Sequence, residues 1–162
     1  MSNKFSQQKI EVLISITFQF FKHKLDIRAT CRLKPMCFFN VGAEKSPAVG
    51  NILTYTKDYG SSEACGMDKS TGVFTVSTEG LYHFSIHITR YTKEDTAIDI
   101  RIDNYSVCTA WSVFQEQTEY GEGVSCSIVR LLKRGQKVDA YVRKGSLITN
   151  YLHNQFHGFL IR

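Results

Sequence analysis

Four histidines lie on or beside apolar runs of this chain, where imidazoles could bind a metal ion or move protons. His83 and His87 share one side of an alternating run, but four residues of strand span about 13 Å, too far for both to bind one ion. His153 and His157 flank the last apolar run without a neighbouring carboxylate or cysteine. We therefore interpret His83 and His87 as surface or hydrogen-bonded side chains, and we assign no catalytic role to any of the four.

Acidic side chains cluster in one polar segment, residues 115–123, which contains Glu116, Glu119 and Glu122. Calcium prefers oxygen ligands, but the spacing of these carboxylates does not match an EF-hand loop. A solvated loop is the favoured interpretation, and calcium binding stays open as the alternative. The sequence shows no GxSxG, HExxH or phosphate-binding glycine loop, so an enzyme is disfavoured and no cofactor is expected.

Five cysteines form no CxxC pair, and their spacing fits no zinc motif. An odd number leaves at least one of them unpaired or bonded to another chain. The five are Cys31, Cys37, Cys65, Cys108 and Cys126.

One N-glycosylation sequon, Asn104-Tyr105-Ser106, falls on a turn between two alternating runs. Asn104 is therefore a candidate glycosylation site. Asparagine is also a common turn residue, so a purely structural role is the alternative.

The β-strand is the element that must hold these residues. Tyr82, Phe84, Ile86 and Ile88 recur at every second position, which is the period of a strand with one buried face. Asp103-Asn104 predicts a tight hairpin. No window shows helix periodicity with caps, so short strands with frequent turns predict an all-β sandwich or jelly roll. The predicted strands cover residues 36–41, 49–55, 73–76, 81–89, 97–102, 105–113, 124–132, 138–142 and 156–162.

The first 35 residues differ from the rest. They contain an apolar run, residues 10–21, that is too short and too polar to span a bilayer. It is a poor signal peptide, because no small-x-small cleavage site follows promptly. Three interpretations stay open: a degenerate leader, an extension that docks or self-associates, and a membrane-active segment. Residues 36–162 are predicted to form one domain.

Charge is distributed unevenly along the chain. Residues 1–36 contain seven Lys/Arg and two Asp/Glu, whereas residues 37–162 contain thirteen of each, so the formal charge of +5 belongs to the N-terminal part. A neutral folded part argues against nucleic acid as the main partner, since nucleic acid requires a basic surface.

Three motifs in order resemble one family. Phe74, Gly80, Tyr82 and Phe84 match a Phe-x5-Gly-x-Tyr-x-Phe pattern. Leu132, Gly135 and Val138 match Leu-x-x-Gly-Asp-x-Val, with Gln136 where Asp is usual. Phe156, Gly158, Phe159, Leu160 and Ile161 match a closing Phe-x-Gly-Phe-Leu-Ile. Residues 36–162 thus resemble the globular head of complement component C1q.

This resemblance implies a ten-stranded jelly roll related in fold to tumour necrosis factor. The motif residues would be core and turn, with Phe74, Tyr82, Phe84, Phe156 and Phe159 buried and Gly80 reversing the chain at positive φ. Cys108 and Cys126 would form a disulfide as in many complement-type heads, with two buried free thiols as the alternative.

The resemblance also implies a homotrimer, without the collagen stalk of typical relatives because no Gly-x-y repeat occurs. The expected function is extracellular and secreted: a lectin that recognises carbohydrate or microbial surfaces in innate immunity, with contacts through the loops at residues 57–72, 93–96 and 115–123. The alternative is a trimeric signalling ligand that engages a host receptor.

Overall fold

A computed structural model describes residues 36–91, 93–115 and 122–161. The predictions for residues 1–35, Cys31, Glu116 and Glu119 lie outside this described part. Within it, ten strands follow one another along the chain, as the all-β prediction requires. They are β1 (Phe38–Gly42), β2 (Lys57–Ser61), β3 (Met67–Asp68), β4 (Val73–Thr75), β5 (Gly80–Thr89), β6 (Thr96–Ile102), β7 (Tyr105–Ser112), β8 (Gly123–Leu132), β9 (Lys137–Lys144) and β10 (Gln155–Leu160).

The strands form two five-stranded antiparallel sheets. Sheet A has the order β2-β1-β10-β5-β8, and sheet B has the order β3-β4-β9-β6-β7. The predicted all-β jelly roll is confirmed. The last strand, β10, lies at the centre of sheet A between β1 and β5.

Aromatic rings from both sheets form the centre of the core. The period-two pattern of β5 buries Tyr82 and Phe84 completely, and the Phe74 ring of sheet B meets each of them edge-on at centroid distances of 5.7 and 5.5 Å. Phe39 and Phe156 complete the cluster at 5.2 Å from each other. Such pairs contribute about 0.5–1.5 kcal/mol each beyond area burial, so this cluster stabilises the contact between the sheets.

Phe159 is the exception among the motif aromatics, and its predicted burial is wrong. Phe156 and Phe159 are three residues apart on one strand, so their side chains lie on opposite faces. Phe156 is fully buried, whereas Phe159 points away from the core and is 42% exposed.

The motif glycines have different roles. Gly80 was expected to reverse the chain at positive φ, but it is the first paired residue of β5, opposite Leu132. The chain instead crosses from sheet B to sheet A between β4 and β5. Gly135 does adopt a left-handed φ of 89° in the link from β8 to β9, which crosses back to sheet B. Its N–H donates to the Val76 carbonyl, so the two crossings are bonded to each other.

The segment from residue 49 to residue 72 is organised differently from the prediction. Residues 49–55 do not form a regular strand; Ile52 makes one isolated bridge to Tyr141, while Leu53 and Tyr55 are buried against the core. The predicted loop 57–72 contains β2, a short 3-10 turn (Glu63–Cys65) and β3. The apolar side chains of residues 49–55 indicate a segment that packs against the core. Strand β2 lacks such a pattern because it is a polar edge strand.

The predicted hairpin at Asp103-Asn104 is present between β6 and β7. Both residues have positive φ, 49° and 68°, which a two-residue hairpin turn requires and which Asp and Asn tolerate. Asn104 is therefore held at an exposed turn tip.

Candidate functional site: the outer face of sheet A and the contact loops

One row of side chains crosses the outer face of sheet A, the face turned away from the core. Strand register places Phe38 opposite Phe159, Phe159 opposite His83, and His83 opposite Val129. Phe38, Phe159 and Val129 are 37%, 42% and 47% exposed. We call Phe38, Phe159, His83 and Val129 the apolar row. Leu81 and Leu131 pair beside it, and Leu131 is 70% exposed, so the apolar surface continues toward one end of the sheet.

A polar row runs next to the apolar row. Here Asn40 faces His157, His157 faces Ser85, and Ser85 faces Ser127. The outer face of sheet A is therefore layered, with aromatic and aliphatic side chains toward one end and small or polar side chains toward the other.

Two imidazoles connect these rows. The rings of His83 and His157 are stacked with centroids 6.0 Å apart, and Phe159 lies 5.0 Å from His83. Burial, and then the neighbouring His83, hold the pKa of His157 below its usual value. The pairing of β5 with β10 is not visible in the chain order, so the sequence relates His83 only to His87.

Two buried polar atoms on this face lack a hydrogen-bond partner within the described residues. They are Nδ1 of His83 and Oδ1 of Asn40. A buried polar atom without a partner costs free energy, so native proteins rarely leave one isolated. Both atoms sit on the strands that carry the two rows.

The outer face of sheet B, by contrast, satisfies its own polar groups. Arg101 donates two hydrogen bonds to the Asp139 carboxylate, at 2.7 and 3.1 Å, and its guanidinium lies 3.9 Å from the Tyr141 ring centroid. Asp99 accepts hydrogen bonds from Ser106 and Thr109, both at 2.7 Å. Ion pairs and hydroxyls thus cover the outer face of sheet B, whereas the corresponding face of sheet A carries the apolar row.

The loop at residues 57–72 presents polar groups around Asp58. The Lys69 ammonium donates to this carboxylate at 2.8 Å, and that bond is the main reason that the pKa of Asp58 is lowered. Ser61 and the Gly60 N–H donate to the other carboxylate oxygen. The surface is therefore polar but locally ordered.

Hydrogen bonds fix both described ends of the loop at residues 115–123. Arg90 donates to the Ser112 hydroxyl at 3.2 Å, and Ser112 donates to Glu122 at 2.8 Å. Near the other end, Asp95 accepts from the Phe114 N–H and from Lys144. Across the residues that the structure describes, no group of three His, Cys, Asp or Glu is placed to hold a metal ion.

Within the described residues, two disulfides are present. Cys108 of β7 is joined to Cys126 of β8, with Cα atoms 6.1 Å apart, so this bond ties an edge of sheet B to an edge of sheet A. Cys37 is joined to Cys65, with Cα atoms 4.6 Å apart, and both cysteines are buried. The sequence left the second pair unassigned, because the irregular chain between them hides their proximity.

Two five-stranded sheets, a layered apolar outer face and polar loops define a jelly-roll domain of the binding-module class. The chain belongs to the C1q domain family: the model of the C1q domain matches residues 39–161. The resemblance seen in the three sequence motifs is thereby confirmed. Membership supports a trimeric, non-enzymatic binding module in general.

Two solved structures show the same fold. The globular domain of zebrafish complement 1qA protein is 18% identical, with a TM-score of 0.63 over 78% of this chain and 98% of the other. Murine APRIL at pH 5.0 is 6% identical, with a TM-score of 0.66 over 78% of this chain and 99% of the other. In the described part of this chain, no helix is long and apolar enough to cross a membrane.

Proposed function

We propose that residues 36–162 form an extracellular, non-catalytic head that assembles as a homotrimer and recognises carbohydrate or microbial surface ligands through its loops. The observation that carries the assembly is the layered outer face of sheet A. Its aromatic and aliphatic side chains form a continuous row over four strands, in which Phe38, Phe159 and Val129 are exposed, and such a row is typical of a surface that another protein covers.

A second copy of the chain is the occupant that best suits this face. Family membership supports a trimer, and the residues of the face carry little charge to oppose the approach of an identical surface. The outer face of sheet B is already occupied by its own ion pairs, so it offers less free energy for self-association.

The extracellular location is supported by the two disulfides, since such bonds persist in oxidising compartments. The exposed sequon at Asn104 fits the same location. Family membership points in the same direction.

Ligand recognition is assigned to the loops because a rigid sandwich positions them and they carry hydrogen-bonding side chains. Asp58, Tyr59 and Ser61 in one loop, and Lys93 and Glu94 in another, offer groups suited to sugar hydroxyls. The innate-immune lectin role rests on this chemistry together with the fold.

A binding experiment with matched variants tests the proposal. Light scattering should show a trimer for the wild type and a monomer for Phe159→Asp, which places a charge in the apolar row. Tyr105→Asp is the control, because Tyr105 is exposed at the hairpin turn, away from this face. On a glycan array and on bacteria, the wild type and the control should bind, while the monomer loses roughly 10²–10⁴ in avidity but keeps its affinity for soluble ligand.

Other results would overturn parts of this assignment. A wild-type protein that is monomeric at micromolar concentration would contradict the trimer. Capture of one host receptor with no sugar binding would instead establish the signalling-ligand alternative. Turnover of any substrate by the purified protein would contradict the non-catalytic assignment.

A further inference from the structure

We propose that the His83–His157 pair makes the assembly pH-sensitive, so that protonation in mildly acidic conditions separates the trimer into folded monomers. This inference rests on the proposed function, because it requires the outer face of sheet A to be the surface between copies.

The two rings occupy the middle of that face. Their centroids are 6.0 Å apart, with His83 in the apolar row, His157 in the polar row, and Phe159 against His83. Even in one copy the pKa of His157 is lowered by burial and by His83, which means that the neutral imidazole is favoured there. Covering the face with another copy removes more water, and this extends the same preference.

The surroundings offer the imidazolium form no counter-charge. On β1 the neighbours are Phe38 and Asn40, and on β8 they are Val129 and Ser127. On β10 and β5 the outward residues are Gln155, Phe159, Leu81, Ser85 and His87, so His87 is the only other titratable group among them.

Charged groups near this region face elsewhere or have partners. Asp58 of the edge strand β2 is bonded to Lys69, and the Lys57 ammonium lies over the Tyr151 ring. Arg130 of β8 pairs with Tyr82, whose side chain points into the core. Among the described residues of β1, β10, β5 and β8, no carboxylate faces the two imidazoles.

The direction of the pH effect follows from the lowered pKa. Above the ordinary histidine pKa of about 6.5, the neutral His157 ring predominates in both the separated and the assembled states, and assembly is fully favourable. As the pH falls below 6.5, the exposed face of a monomer takes up protons more readily than the covered face, so the equilibrium moves toward monomers. The loss is complete below the lowered pKa of His157 in the assembly.

The test measures assembly against pH in the full chain. Light scattering and sedimentation over a concentration series should give a trimer at pH 7.5 and monomers at pH 5.0. The concentration at half-assembly should be higher at pH 5.0 than at pH 7.5, since a proton that the separated state binds more tightly favours dissociation. Circular dichroism should show that the monomers at pH 5.0 remain folded.

Matched variants test whether His83 and His157 cause the pH dependence of assembly. H83Q/H157Q replaces both rings by neutral polar groups and should lose most of the pH dependence. H153Q, in the exposed loop before β10, should keep it. Should the double variant fail to fold, histidine NMR of the wild type provides an independent measurement, in which the His157 resonance should titrate below pH 6.5 together with dissociation.

The possible results distinguish a failure of the pH-sensitive pair from a failure of the proposed trimer. A wild type that is trimeric at both pH values, or an H83Q/H157Q variant that dissociates at the same pH as the wild type, overturns the pH-sensitive pair and leaves the trimer intact. Dissociation that occurs only with loss of the fold also overturns it. A wild type that is monomeric at pH 7.5 overturns the proposed assembly, and its regulation with it.

Discussion

Gly158 of β10 lies directly opposite Phe84 of β5, and the Phe84 ring fills the space that a side chain at position 158 would need. A Cβ added at Gly158 would lie 2.6 Å from Phe84 Cδ1 and 2.7 Å from Phe39 Cε1. The glycine of the closing motif is thus required by the closeness of two core rings and not by its backbone freedom.

Gly158→Ala should therefore lower the free energy of unfolding by about 1–3 kcal/mol, the usual cost of an overpacked core. Ser125→Ala, on the exposed side of β8, should change it by less than about 0.5 kcal/mol. Urea denaturation followed by circular dichroism measures both. Equal midpoints for the two variants would show that the core rings can move aside.

Substitutions at Phe84 and Phe159 should separate effects on stability from effects on assembly. Phe84→Ala should lower the free energy of unfolding by about 3–5 kcal/mol, because the ring is fully buried in the aromatic cluster. Phe159→Ala should leave the fold intact and weaken self-association. Urea denaturation combined with light scattering records both effects, and a stability loss at Phe159 as large as that at Phe84 would contradict its placement on the outer face.

The buried ion pair on sheet B should be far more sensitive than the exposed one near β2. Asp139→Ala leaves the Arg101 guanidinium covered but without its carboxylate, and should cost about 3–5 kcal/mol. Lys69→Ala removes the exposed partner of Asp58 and should cost less than about 1 kcal/mol. Thermal unfolding compares the two, and similar losses would mean that the Arg101–Asp139 pair is solvated.

Gln136 stands where the family usually has aspartate, and the structure shows what it does here. Its side-chain amide donates to the Asp103 carboxylate at 2.8 Å and accepts from the Lys133 N–H at 2.9 Å. The pKa of Asp103 is lowered chiefly by the Lys137 N–H and then by Gln136, so this carboxylate stabilises the fold above its ordinary pKa, and the contribution disappears as acid protonates it.

Gln136→Asp should therefore destabilise this chain at pH 7, by up to about 1 kcal/mol at so exposed a site, because two carboxylates would meet. The difference from the wild type should shrink toward pH 3 as the carboxylates take up protons. Gln136→Glu, which is also acidic but longer, is the comparison. A variant as stable as the wild type at pH 7 would show that residue 136 turns away from Asp103.

Peptide mapping without reduction should recover the pairs Cys37–Cys65 and Cys108–Cys126. Loss of either bond should cost roughly 3–4 kcal/mol in the chain-entropy model, given sequence separations of 28 and 18 residues. The variants C37S/C65S and C108S/C126S, compared by thermal unfolding, test each bond. Recovery of a different pairing would contradict the structure.

Local sequence patterns predicted the interior of the fold well. The alternation in β5 correctly placed Tyr82 and Phe84 in the core, and Asp103-Asn104 correctly marked a hairpin, because each signal is contained in a few neighbouring residues. The polar edge strand β2 carried no such signal. Its place in the sheet depends on hydrogen bonds to β1 and not on an apolar face.

The candidate site was harder to predict, since it arises from pairing between distant segments. His83 and His157 meet only because β10 inserts beside β5. Phe159 could have been placed correctly, because its odd separation from Phe156 puts the two rings on opposite faces. The match to the family motif favoured burial of both rings, although the alternation of side chains along a strand argues against it.

The central position of β10 also constrains how the chain is made. During synthesis on a ribosome, β1 and β5 emerge first but cannot form the native sheet A, since the strand that joins them is translated after the other nine described strands. The edges of β1 and β5 therefore stay open until Leu160 has left the exit tunnel, and contacts of such long sequence separation form slowly. A nascent chain of this design should depend on chaperone protection, and truncation just before β10 should release it as an aggregation-prone species.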